Sequence, residues 1–214
     1  MSDNGRKIYA VGDIHGMLVK LERLLDRIPF RDDRDRLVFL GDYVDRGPDS
    51  RGVVHRVLQL VARGLDVVCL RGNHEVMMEN YLKDEDVAFF LVNGGASTVH
   101  SYSVGNEEGR CVVPDTHKSF LRGLKKFYET DDYLFVHAGF RPGVPVADQA
   151  DDDVYWIRDE FIASDYDFGK KVIFGHTPFL KPFVDRRKIG IDTGAVYGNK
   201  LTCVCLPDEV FYSV

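Results

Sequence analysis

Five apolar runs in this chain each end in a short polar segment: GDIHG at 12–16, GDYVDRG at 41–47, RGNHE at 71–75, HAG at 137–139 and GHT at 175–177. No other feature constrains the fold as much. A turn calls for glycine or asparagine, but nothing in turn geometry calls for the aspartates, histidines and arginine that crowd these segments. In an open α/β sheet the loops at the carboxyl ends of the strands open onto one crevice, so residues distant in sequence can meet there.

The runs read as strands: KIYAV (7–11), RLVFL (36–40), DVVCL (66–70), DYLFV (within 131–136), KVIF (171–174), KIGID (188–192) and LTCVCL (201–206). Helices fall between the early ones. Leu18, Leu21, Leu25 and Ile28 recur at helical spacing, as do Val53, Val57, Leu60 and Val61 before Gly64. This alternation predicts an α/β fold with a central mixed, largely parallel, sandwich-like sheet flanked by helices and antiparallel strands towards the C-terminus. Residues 76–130 read as a helical insertion over one end of the sheet, broken at Asn93, Gly94 and Gly95. Residues 140–155, with Pro142, Pro145 and an acidic run, read as a loop whose charge is a solvated face. At 214 residues the expectation is one domain, spanning 1–214.

Composition narrows the partners. With a net charge of -6, the chain offers no basic field for a nucleic acid duplex. No apolar stretch is long enough for a signal peptide or a membrane span, so a cytoplasmic location is expected, with no membrane partner. The four cysteines, Cys69, Cys111, Cys203 and Cys205, form no C-x-x-C pair and read as reduced; Cys203 and Cys205 alternate as small buried hydrophobes.

Chemistry is concentrated at the strand ends. Asp13, His15, Asp42, Asn73, His137 and His176 offer carboxylate, amide and imidazole ligands, a mixture suited to divalent manganese, iron or zinc. Several buried carboxylates in one crevice repel one another unless cations neutralise them. Asp42 is the best placed to bridge two ions. Taken singly, each residue has a plainer use: Asp13 as a helix cap, Asp49 or Ser50 as another, Glu75 as a cap or orienting group. His55, His100 and His117 are expected to be ordinary structural histidines.

The ordered set GDIHG, GDYVDRG, GNHE, HAG and GHTP resembles the phosphoprotein phosphatase family of metallophosphoesterases, particularly its small bacterial and phage members typified by the bacteriophage lambda protein phosphatase. LVNGG, YWIRDEF and IDTGAV also resemble segments of the short members. The resemblance implies two divalent ions, manganese first. Asp13, His15 and bridging Asp42 would hold one; Asn73, His137 and His176, with Asp42 again, the other. It further implies that His74 is the catalytic acid with Asp45 as its carboxylate partner, and that Arg46 and Arg158 bind the substrate phosphate. The expected activity is that of a serine/threonine or dual-specificity protein phosphatase acting on a phosphorylated protein or peptide. The alternative is a symmetrical dinucleoside tetraphosphatase acting on a dinucleoside polyphosphate, and a non-catalytic phosphate- or protein-binding module stands behind both.

Overall fold

A computed structural model describes residues 6–106 and 109–214. The strands are β1 (Ile8–Val11), β2 (Arg36–Phe39), β3 (Asp66–Cys69), β4 (Phe127–Glu129), β5 (Tyr133–Val136), β6 (Lys171–Phe174), β7 (Phe183–Val184), β8 (Lys188–Gly190), β9 (Thr202–Leu206) and β10 (Val210–Ser213). They form two five-stranded mixed sheets, ordered β10-β9-β1-β2-β3 and β4-β5-β6-β8-β7. In the first, β1, β2 and β3 run parallel while β9 and β10 are antiparallel; in the second, β5, β6 and β8 are parallel and β4 and β7 antiparallel. The expected α/β architecture is therefore present, as two sheets rather than one.

Alternation along the strands explains the layering. Ile8, Ala10, Val38, Leu40 and Val204 of the first sheet meet Phe135, Ile173 and Ile189 of the second in a core between the sheets. The intervening residues face outward. Tyr9, Val11, Leu37 and Phe39 pack under α1 (Leu18–Arg27) and α2 (Ser50–Ala62), joined there by Cys203 and Cys205. On the opposite side Leu134, Val136 and Phe174 pack with Val154, Tyr155 and Phe161. Two sheets back to back with helices on the outside bring the ends of strands from both sheets to one place.

Helix α2 starts where Asp49 accepts the Gly52 N–H at 2.7 Å, which settles its cap on Asp49. The region 76–130 departs from the expectation of a purely helical insertion. It holds α3 (Asn73–Tyr81), α4 (Val87–Phe90), α5 (Ala96–Ser103) and α6 (Asp115–Arg122), but then strand β4, which pairs with β5. The helical reading ran past Gly123 because apolar residues continue into KKFYE; the partner strand β5, remote from that pattern, decides the matter. At the expected break, Leu91–Gly95 forms a wide turn in which Gly94 has φ 106°. The stretch 140–155 is likewise only partly a loop: α7 (Asp151–Trp156) begins inside it and α8 (Asp159–Ile162) follows. Its acidic run lies in the first turn of α7, where carboxylates suit the positive end of the helix, and buried Asp153 takes two bonds from Arg141 at 2.8 and 2.6 Å.

Candidate metal centre

The loops after β1, β2, β3, β5 and β6 converge. Asp13, His15, Asp42, Asn73, His74, His137 and His176 are all buried, none more than 5% exposed. Burial of so many polar groups needs a cause, because each loses water and must find another partner. Among the described residues two groups of three ligand atoms lie within 4.8 Å of one another: His15, Asp42 and His74, and Asp42, His137 and His176. Asp42 belongs to both, the position expected of a bridging carboxylate.

The backbone is held in unfavourable conformations to achieve this. His15, Asp42, Asp45, Arg46 and His176 all have positive φ, between 47° and 71°. Such conformations cost about 1–3 kcal/mol each for residues with a Cβ, and persist only where the surroundings over-determine them. Glu75 supplies much of that determination. Its buried carboxylate accepts the N–H groups of Asp42, Tyr43 and Gly72 at 2.8–2.9 Å and of Val44 at 3.3 Å. At Gly72 there is no room for a side chain, since a Cβ would lie 2.1 Å from Asp42 Oδ1.

Hydrogen-bond directions show which atoms are free to bind a cation. His137 Nδ1 lies 2.9 Å from the Leu40 carbonyl, which can only accept, so the proton sits there and Nε2 keeps its lone pair. That lone pair faces the Asn73 amide oxygen, as oriented, at 2.9 Å and Asp42 Oδ1 at 3.4 Å. His15 repeats the arrangement at Nδ1–H, which donates to the Val44 carbonyl at 2.8 Å; its Nε2 lone pair, 3.3 Å from Asp42 Oδ2, accepts from the Arg46 guanidinium, a bond that a cation would displace. His176 Nδ1 approaches Asn73 Oδ1 at 3.0 Å, while its Nε2 is buried without a partner. Lone pairs turned on one another around shared carboxylates fit divalent cations.

Titration behaviour agrees. Burial drives the Asp13 and Asp42 carboxyls well above the usual range, with neighbouring Asp192 adding to the first and Glu75 to the second. Burial drives His15, His137 and His176 down; His137 falls to about 3. The imidazoles are thus neutral at neutral pH, the form that can bind a cation.

His74 belongs to the first group, with Nε2 4.0 Å from Asp42 Oδ2 and no hydrogen-bond partner, but its other nitrogen meets a carboxylate: Nδ1–H donates to Asp45 Oδ2 at 2.6 Å. Burial and the charges of Arg46 and Arg158 lower its pKa; burial raises that of Asp45 to about 7. Asp45 is itself held, accepting the Thr98 hydroxyl at 2.6 Å through Oδ1 while its N–H reaches Thr98 Oγ1 at 2.8 Å and Ser50 Oγ at 3.0 Å.

The remaining expected residues are placed less uniformly. Asp13 does not cap α1; its carboxylate accepts the His176 N–H at 3.0 and 3.2 Å, and it lies beside both close groups without joining either. Arg46 is exposed, with Nη1 2.7 Å from His15 Nε2. Arg158 is exposed at the rim, 3.5 Å from Thr177 Oγ1, and its charge is felt by His74, His137 and His176. His55 and His100 stay outside, and buried His117 bonds to the Tyr102 hydroxyl at 2.8 Å. Two neighbours escaped the sequence reading. Asp192 is buried next to Asp13, and its signal was available, since KIGID also ends an apolar run in a carboxylate. Thr98 carried no signal, lying mid-helix in the insertion.

The profile of the calcineurin-like phosphoesterases matches residues 6–200. The chain belongs to this family. Like the family's other enzymes it is a hydrolase acting on phosphoric ester bonds. Among its curated relatives, the asymmetrical bis(5'-nucleosyl)-tetraphosphatase PrpE of Oceanobacillus iheyensis is 28% identical, over 97% of this chain and 92% of its own. A crystal structure assigned as a diadenosine tetraphosphatase superposes with a TM-score of 0.76 at 25% identity, covering 97% of this chain and 92% of that one. A serine/threonine phosphatase from Saccharomyces cerevisiae superposes at 0.66 with 16% identity, covering 97% and 79%, which is a likeness of fold alone.

These comparisons overturn the expectation of a serine/threonine or dual-specificity protein phosphatase. Family membership holds at the level of calcineurin-like phosphoesterases, whereas the narrower protein-phosphatase branch does not. GDYVDRG, with its second aspartate, is therefore no mark of a protein substrate.

Proposed function

We propose that this chain hydrolyses dinucleoside tetraphosphates, cutting between the first and second phosphates to release a mononucleotide and a nucleoside triphosphate. The observation that carries the reading is end-to-end similarity to curated relatives named as asymmetrical tetraphosphatases. The proposed cleavage follows those names and is asymmetrical, where the alternative expected was symmetrical. The unit proposed to do this is the whole of residues 1–214 acting as one domain in the cytoplasm. In support of that setting, no helix among the described residues is long and apolar enough to cross a membrane.

Asp13, His15 and Asp42 are proposed to hold one divalent ion and Asn73, His137, His176 and Asp42 the other, with manganese as the first candidate. When bound, the ions would neutralise phosphate charge and make a water acidic enough to attack phosphorus near neutral pH. Asp192, beside Asp13, adds negative charge that favours cation loading. The chain's own groups handle the rest. Arg46 and Arg158 offer planar forks to non-bridging phosphate oxygens, a geometry lysine lacks. His74, its Nδ1 proton held by Asp45, has Nε2 free of any hydrogen-bond partner; once Nε2 takes up a proton beside the anionic substrate, the imidazolium, balanced by Asp45, can pass that proton to the departing phosphate oxygen and return to its neutral form.

The test is product analysis. Diadenosine tetraphosphate incubated with the protein and manganese should give AMP and ATP in equal amounts. Two molecules of ADP would restore symmetrical cleavage, and turnover of a phosphoserine peptide without turnover of the dinucleotide would sink the reading.

A further inference from the structure

Trp156 is the only tryptophan of the chain. Its ring is 36% exposed, stands edge-on to His176 with centroids 6.3 Å apart, and meets Phe89, 50% exposed, at 6.4 Å. The two rings come from separate segments, Phe89 from α4 in the insertion and Trp156 from the end of α7. Neither joins any of the three apolar cores. Two large, partly exposed rings, tilted 47° to each other and with Trp156 against His176, form an apolar step beside the candidate centre.

That juxtaposition matches the anatomy of a nucleotide, an aromatic plane joined to phosphates. Cations and the exposed Arg158 guanidinium can hold phosphate, but they cannot tell a nucleotide from any other phosphoryl compound. A stacked base can. Aromatic side chains hold bases through their π-faces with little dependence on base identity.

We propose that Trp156 and Phe89 form a shelf on which one nucleobase of the substrate stacks, while the adjoining phosphate lies on the His137 and His176 side of the centre. The inference rests on the tetraphosphatase reading and names its specificity determinant. A lone tryptophan also makes it directly observable. Titrating the protein, with the same divalent ion present throughout, AMP should quench tryptophan emission, whereas ribose 5-phosphate, which has the phosphate and sugar but no base, should not. Trp156→Ala and Phe89→Ala should each raise KM for diadenosine tetraphosphate about tenfold with kcat little changed, and Trp156→Phe should restore most of the loss. Calorimetric binding of AMP without quenching, equal quenching by the two ligands, or unchanged KM in Phe89→Ala would overturn the shelf. The parent reading fails separately: AMP quenching that survives in a protein unable to cleave the dinucleotide leaves the shelf standing and removes the activity.

Discussion

The floor of the site and its rim are held in different ways. On the floor every expected ligand is buried, several have left-handed backbone, and Glu75 bonds to four N–H groups at once. At the rim Arg158, Trp156 and Phe89 are exposed, while Arg46 joins the two, its backbone fixed in the floor and its exposed guanidinium reaching His15 Nε2. Rigidity is concentrated where ions must be gripped to a fraction of an ångström, and freedom is left where substrates of different shape must enter. A phosphoesterase fold can therefore keep its floor while the rim changes what it accepts. That difference lets strand-end motifs that resemble those of protein phosphatases stand in a chain similar to tetraphosphatases.

The contrast can be broken most forcefully at Asp42. Asp42→Asn removes the carboxylate common to both groups, and elemental analysis of the purified variant should find both ions lost and turnover abolished. His74→Asn should act on chemistry alone: metal content unchanged, kcat lower by roughly 10²–10⁴. A variant that keeps full turnover would take the acid role from His74. Glu75→Gln tests whether the floor depends on its scaffold. Either orientation of the new amide turns an NH₂ towards two N–H donors, so thermal denaturation should show about 1–3 kcal/mol lost, and metal titration an affinity weaker by about 10–100-fold.

The smallest expected effect lies away from the floor, at His117. Burial, aided by nearby His55 and Arg51, lowers its pKa to about 4. The unfolded chain, with its histidine near pH 6.5, then takes up a proton that the folded protein refuses, so stability falls as pH drops from 6.5 towards 4. In His117→Gln this limb of the stability curve should flatten, as denaturant titrations at pH 7 and pH 5 would show, with metal binding unaffected.

The floor was legible in the sequence because glycine beside a metal-competent side chain recurs at five strand ends, a coincidence that the plainer uses taken singly do not explain. Asp42 and His137 could be chosen from their motifs alone. The rim and the insertion were not legible for the opposite reason. Thr98 is an ordinary helical threonine until the fold carries it to Asp45, β4 becomes a strand only beside β5, and Trp156 and Phe89 acquire meaning through a contact between segments that sequence spacing does not predict. Asp192 lies between the two cases: its position after an apolar run could have flagged it, but a lone carboxylate without histidine or asparagine beside it is a weak signal.

Where the insertion touches the floor, Gly94 accepts the Arg46 N–H at 3.0 Å through its carbonyl, and a Cβ on Gly94 would lie 2.6 Å from Arg46 Cγ, while four residues on Thr98 clasps Asp45. This seam has a practical meaning for anyone who would retarget the enzyme by transplanting a lid from a cousin. The donor segment must arrive with its own glycine and hydroxyl in register, or the new specificity will be delivered to a His74 whose carboxylate partner has lost its anchor.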